Sequence, residues 1–458
     1  MRSSELATKV IKEGGFALPS ILLLITILSL FTLSILLLQY FMKQSTLIDI
    51  ARLKVDYAAE SGIKKALNEM HSKNDLLILT SPVSRTYMMP DESEAETQMF
   101  PWGVYIAVVS EGRFRAFKTT RTALIADRPS SVFDNALFFG NGSHQVIFTG
   151  ASSVEGTVVV GKPGVAIGNL RNFTTPVSVP ISGTIEKTDN PQLPILDFPL
   201  FAEQLKCFNG GFSTNEHSII RFNPSGSLPL SKIINDSTRE VVVAGNYALN
   251  DSISRRTVPL SVYVAGNIDI QKGTKVHGLV EIIASNAISI EQGIAIDDVI
   301  LSARDSIVVQ KGVTISGQFI APTINVYNGS TLKYPSFLFS TLLNNNDSIP
   351  QGIYFGANVT VEGFVALDSK QANPQSEPLI IVYPSASIIG AVYSNTKMTL
   401  DGSVKGTVLT RDFYFYEEPT KYLGWLRSGT ITRSKLPQGF FIPPGFSDNV
   451  KLDVLDWL

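Results

Sequence analysis

The residues through which this 458-residue chain could do chemistry are few and scattered. Its four histidines, His71, His144, His217 and His277, lack the paired spacing that brings two imidazoles onto one zinc ion. A single cysteine, Cys207, excludes an internal disulfide and any multi-cysteine metal site, and reads as a small buried hydrophobe. Carboxylates are the remaining candidates, since polysaccharide cleavage needs acids gathered around one bond. The chain carries an internal repeat whose register tests this: Asp269 aligns with Ser289, Val308 and Asn325, while Asp297 aligns with His277, Ser316 and Lys333. No acidic column forms, and Asp297-Asp298 reads as a turn pair. Phosphate-cradling lysine loops and Gly-x-Ser-x-Gly elbows are absent too. No catalytic, cofactor or metal site is therefore expected, and the chain reads as a structural protein and not an enzyme. A net charge of −2 without a basic cluster gives no support to a nucleic-acid partner.

What positions these residues is the repeat itself. Four copies stand in register: Ile268 to Gly278, Ile288 to Asp298, Ile307 to Gly317 and Ile324 to Tyr334. Their glycines, Gly273, Gly293, Gly312 and Gly329, step by 20, 19 and 17 residues. Shorter copies run from Val146 to Gly156, Ile380 to Gly390 and Met398 to Gly406. Apolar residues two apart would point inward, glycine would turn the corner, and each coil would hydrogen-bond to the next at roughly 4.8 Å. This predicts a parallel β-solenoid over 132–411, with Ile270, Ile290, Val309 and Val326 on one inward line. A proline-rich excursion, 169–257, with a helix-like patch at Phe201 to Phe208, interrupts it, as does a loop from Tyr334 to Gln351. The aromatic tail 412–458 is expected to cap a terminal coil. The repeat resembles that of bactofilins and related polymer-forming solenoids.

The amino-terminal part has another period. Phe16 to Leu38 carries no charge across 23 residues, which as a helix covers roughly 35 Å, enough for a bilayer's hydrocarbon core. No Pro or Gly follows until Gly62, and Leu47, Ala51, Val55, Ala59, Ile63, Ala66 and Met70 mark an apolar stripe at helical spacing. The expected element is one helix within 16–72, half in lipid and half on a soluble domain. A linker and β-hairpin over 73–131 follow, with strands alternating around Glu111-Gly112. Arg113, Arg115, Lys118 and Arg121 read as that hairpin's solvated face.

A short leader, residues 1–15, ends in Gly14-Gly15 directly before Phe16. This junction and the apolar helix behind it resemble the type IV prepilin class, including minor pilins and the pseudopilins of type II secretion. The resemblance implies cleavage after Gly15 by a prepilin peptidase on the cytoplasmic side, leaving Phe16 as the mature terminus. Most pilins carry a glutamate five residues into the mature chain; Ser20 stands there instead, as in subunits that are minor and tip-placed. Ala59, Glu60 and Gly62 fall in a stretch similar to one common in a branch of minor pilins. The resemblance thus implies a single-pass protein of a bacterial inner membrane, with the amino terminus cytoplasmic and the solenoid periplasmic or extracellular. Its expected partners are the lipid bilayer, other pilin-like subunits or further copies of itself, and the peptidase. Two other functions are compatible with the repeat: a membrane-tethered, self-associating scaffold like the bactofilins, and a glycan-binding or glycan-active surface protein.

Overall fold

The computed structural model describes residues 17–72, 82–195, 219–222, 229–341, 351–369, 379–444 and 451–458. The leader with Gly14, Gly15 and Phe16, the patch Phe201 to Phe208, Cys207 and His217 lie outside the described residues. The fold is mainly β, with one long amino-terminal helix and a large parallel sheet wound as a solenoid. Two compact units divide the chain: Met1–Gly62, Thr86–Glu96 and Glu111–Thr120 form the first; Ile63–Arg85, Thr97–Ser110 and Arg121–Leu458 form the second.

Helix α1, Ala17–Ser72, is unbroken and contains a segment long and apolar enough to cross a membrane. Side chains from Leu18 to Ile50 are exposed, whereas the stripe Ala51, Val55, Ala59, Ile63, Ala66 and Met70 is buried. Four strands follow: β1, Val83–Met88; β2, Glu94–Trp102; β3, Tyr105–Phe114; and β4, Phe117–Asp127. With the carboxy-terminal strand Leu452–Trp457 added antiparallel to β4, they make a five-stranded sheet. The expected turn at Glu111-Gly112 is displaced. β3 runs through that pair, and the chain reverses at Arg115-Ala116, where Arg115 takes φ +57°. Gly112 is needed for a different reason: a Cβ there would lie 2.0 Å from the carbonyl oxygen of Val55, so glycine lets strand and helix touch.

Each coil of the solenoid has three faces. On the first, Ile270 pairs with Ile290, Ile290 with Val309 and Val309 with Val326, in the register that the repeat requires. The line continues through Leu249 on one side and Phe355, Val382 and Leu400 on the other, every member buried. β-Branched residues suit these columns because their side chains pack well on a pleated surface. Gly273, Gly293, Gly312 and Gly329 turn the first corner with φ between +71° and +95°, a region that side chains disfavour. A second glycine column, Gly317, Gly363, Gly390 and Gly406, turns the next corner. There a Cβ would meet a carbonyl oxygen of the preceding rung at 1.8–2.6 Å.

The order of coils differs from the order of sequence. On the third face the buried line Ile282, Leu301, Phe319, Leu338, Val365, Val392 and Val408 leads on to Leu137, then Val158 and Ile185. The earliest coils thus stack beyond the latest one. The excursion is correspondingly narrower than expected: Ile181–Lys187, Ile219–Phe222 and Glu240–Leu249 carry rungs. The loop expected from Tyr334 begins later, since the strand Thr331–Ser340 is part of two rungs. Nor do the described residues of the tail cover a terminal coil. Thr430–Thr432 is inserted between Ser403-Val404 and Ser153–Glu155, and the last strand joins the small sheet. Its aromatic residues serve the seam, with Phe413 stacked on Phe139 at 6.0 Å.

Candidate functional site

Three places combine chemistry with geometry: the exposed half of α1, the dock between small sheet and solenoid, and the seam where the last coil meets the first.

Ser20 lies exposed in the first turns of α1. Along the same exposed stretch Thr26, Ser29, Thr32 and Ser34 donate their hydroxyls to the carbonyl four residues back, at 2.7–2.8 Å. A helix that satisfies its polar groups internally can sit in hydrocarbon. Further on, Ala59 and Gly62 are buried and Glu60 is half-buried, so the motif-like stretch is where α1 passes into protein. In the first unit Lys54 reaches Asp91 at 3.6 Å and lies 4.4 Å from the centre of the Phe114 ring.

The outer side of the third solenoid face is apolar, and it is covered. Phe337, Phe364, Ile300 and Ile320 share a core with Trp102, Val104, Tyr105, Ala107 and Leu124 of the small sheet. Gln318 fixes the register of this dock. Its Oε1 accepts from the Val104 amide at 2.8 Å, and its Nε2 donates to the Trp102 carbonyl at 3.0 Å. Gly103 between them has φ +62°, and a Cβ there would lie 1.8 Å from Gln318 Oε1. Beside this dock, burial pushes the Glu281 carboxyl up to about 7, with nearby Glu240 adding to the shift. Glu281 Oε2 accepts from Ser261 at 3.1 Å, while its Oε1 is buried without a partner among the described residues. Burial likewise pushes Asp127 up to about 6 and Asp298 up to about 7.

At the seam, Asp412 is buried. It accepts from Asn141 at 2.9 Å and from the Gly424 amide at 2.8 Å, and it lies 2.7 Å from His144 Nδ1. Arg427 forks onto Asp401, with one contact at 2.9 Å. Arg433 donates to the Phe133 carbonyl at 2.9 Å. Apart from Asp412–Gly424, which lies within the tail, each contact ties the tail either to the earliest coil or to the latest. None of these residues repeats at a fixed spacing, so periodicity gave no signal for them.

The acids follow the aligned register. Asp297 pairs with His277, 3.1 Å from its Nδ1, and lies 3.4 Å from Ser316 Oγ. Asp298 occupies a left-handed turn position with φ +60°. Among the described residues no group of three His, Cys, Asp or Glu is placed to hold a metal ion.

No protein-family model matches the chain, and no curated protein is significantly similar to it. Among solved structures the chain is similar to the competence-associated pilin ComZ from Thermus thermophilus, at 11% identity and a TM-score of 0.25, over 89% of this chain and 97% of that one. A likeness of that size does not establish a shared fold.

Proposed function

We propose that this chain is a membrane-anchored, pilin-like minor subunit that displays a β-solenoid and contributes to the assembly or the tip of a type IV pilus or a secretion pseudopilus. The observation that carries this reading is α1: one unbroken helix, exposed and apolar over its first half and buried along one stripe over its second. Exposed Leu, Ile and Phe over more than 30 Å of helix need lipid or other apolar helices around them. The prepilin-like junction Gly14-Gly15-Phe16 supports the same reading, and Ser20 favours a minor position, because a subunit without the usual carboxylate lacks that partner for a neighbour's terminal amine. Nothing in this role calls on catalysis; the solenoid is cargo or contact surface. Sequencing the amino terminus of membrane-extracted protein, made with and without a prepilin peptidase, tests it. Phe16 is expected first when the peptidase is present; retention of Met1, or a cut beyond Leu38, would remove the assignment.

A second reading has one observation in its favour. Among the described residues the rung Ile185–Lys187, paired with Val158–Val160, is exposed throughout, and an exposed β-strand can pair with another chain, as a self-associating scaffold on a membrane would require. Protease digestion of intact cells and of cells with the inner membrane opened separates the two. A solenoid cleaved only after opening belongs to the scaffold.

A further inference from the structure

Where the third face of one coil passes into the first face of the next, Asp368, Asn395 and Arg411 fall on successive rungs. Leu367 pairs with Ser394, and Ser394 with Thr410. The next rung brings Gly140, whose amide donates to the Thr410 carbonyl at 2.8 Å. The line of side chains therefore ends at Arg411 and leaves a gap. The segment from Asn190 to Ile195 crosses in front of it. Leu193 closes over Gly140, where a Cβ would lie 2.7 Å from Leu193 Cγ, and the Tyr393 hydroxyl donates to the Pro194 carbonyl at 2.9 Å. Between them is a cavity of about 550 Å³, within the range of about 300–1,000 Å³ in which small ligands bind.

The lining divides into committed and free groups. Asn395 is committed: it donates to the Asp368 carboxylate and to the Ser369 carbonyl, and accepts from the Ser369 amide at 2.9 Å. Arg411 is exposed and forms no ion pair or hydrogen bond with any described residue, and the amides of Asn190 and Gln192 are exposed as well. Lys397, on the neighbouring strand, is held below the usual lysine range chiefly by burial; Asp412 pulls it the other way, and like-charge repulsion from Lys421 and Arg411 adds to the lowering. The described lining thus carries one cation, Arg411, and one carboxylate, Asp368, which Asn395 engages, and its other exposed hydrogen-bonding groups are two amides.

We propose that this cavity binds an acidic oligosaccharide, the Arg411 guanidinium taking a sugar carboxylate at two points and Asn190 and Gln192 taking ring hydroxyls. A guanidinium fork matches a carboxylate in geometry as well as charge. The apolar side of the lining is Leu193 and Ile195 with Pro191, Pro194 and the Tyr393 ring, which can take the C–H face of a sugar ring. The proposal needs the solenoid alone, so it stands or falls independently of the pilin-like assignment.

Titration calorimetry on the full chain in detergent tests it, with tetra-uronates (of galacturonate, glucuronate and mannuronate) against neutral cellotetraose as probes. At least one uronate is expected to bind about tenfold or more tighter than cellotetraose, the size of one charge-assisted contact. Arg411→Ala should remove that preference, with Arg411→Lys keeping part of it. Because Arg411 has no partner among the described residues, its unfolding midpoint should match the parent's, which separates lost binding from lost fold. Absence of binding by every uronate, equal binding of uronate and neutral sugar, or unchanged affinity in Arg411→Ala each overturns the proposal.

Discussion

Replacing Glu281 by Gln should change how stability depends on pH. The carboxyl is buried, its Oε1 has no partner among the described residues, and its pKa lies at about 7 in the folded chain against an ordinary 4.5. Below about pH 4.5 it is protonated whether the chain is folded or not, and it costs nothing. Between about 4.5 and 7 the unfolded chain releases the proton and the folded chain holds it, so folding becomes less favourable as pH rises. The difference of about 2.5 units corresponds to about 3 kcal/mol, reached near pH 7 and constant above it. Gln keeps the acceptor for Ser261 and does not ionise. Urea denaturation of the detergent-solubilised chain at pH 4.5, 6 and 8 should find Glu281→Gln no more stable than the parent at the lowest pH and about 1–3 kcal/mol more stable at the highest, the lower bound allowing for an unpaired amide. Asp298 and Asp127 titrate in the same window, so the parent's slope should be reduced, not abolished. A difference between variant and parent that does not grow with pH would refute the reasoning.

Ile290→Asp should bury a carboxylate between Ile270 and Val309 and cost several kcal/mol. Ser289→Asp, on the outer side and opposite Asp269, should cost less than about 1 kcal/mol; equal falls in thermal midpoint would contradict the register. Gly390→Ala places a Cβ 1.9 Å from the Gly363 carbonyl oxygen and should lower the midpoint well beyond Gly439→Ala, which has φ +79° but nothing within 4 Å. Gln318→Leu leaves the Val104 amide and the Trp102 carbonyl without partners, at about 1–3 kcal/mol each. Hydrogen exchange at Val104 should then accelerate; unchanged protection would mean that Gln318 does not hold the dock.

Local periodicity carried what is local. The line Ile270, Ile290, Val309, Val326 and the first glycine corner could be read because adjacent coils are adjacent in sequence and share one pattern. The second glycine column was visible as the last residue of several copies, Gly317, Gly390 and Gly406, yet its reason, the close approach of a neighbouring carbonyl, exists only in three dimensions. Long-range order was not legible. Leu137–Phe139 and Val158–Val160 are three-residue strands, too short to announce a partner, and Leu137 pairs with Val408 far along the chain. Gln318 is one polar residue among apolar ones until Gly103 is placed against it. Glu111-Gly112 reads as a turn because glycine commonly marks turns, whereas in the fold Gly112 marks contact with α1.

Photo-crosslinking from the exposed half of α1 tests the central claim most directly. Phe31 is 65% exposed, and Phe31→p-benzoylphenylalanine, expressed in cells that assemble type IV pili or a pseudopilus, reports what surrounds it. Crosslinks to the amino-terminal helices of other pilin-like subunits, recovered from sheared filaments or from the inner membrane, are the predicted result. Crosslinks confined to lipid and to other copies of this chain would contradict it.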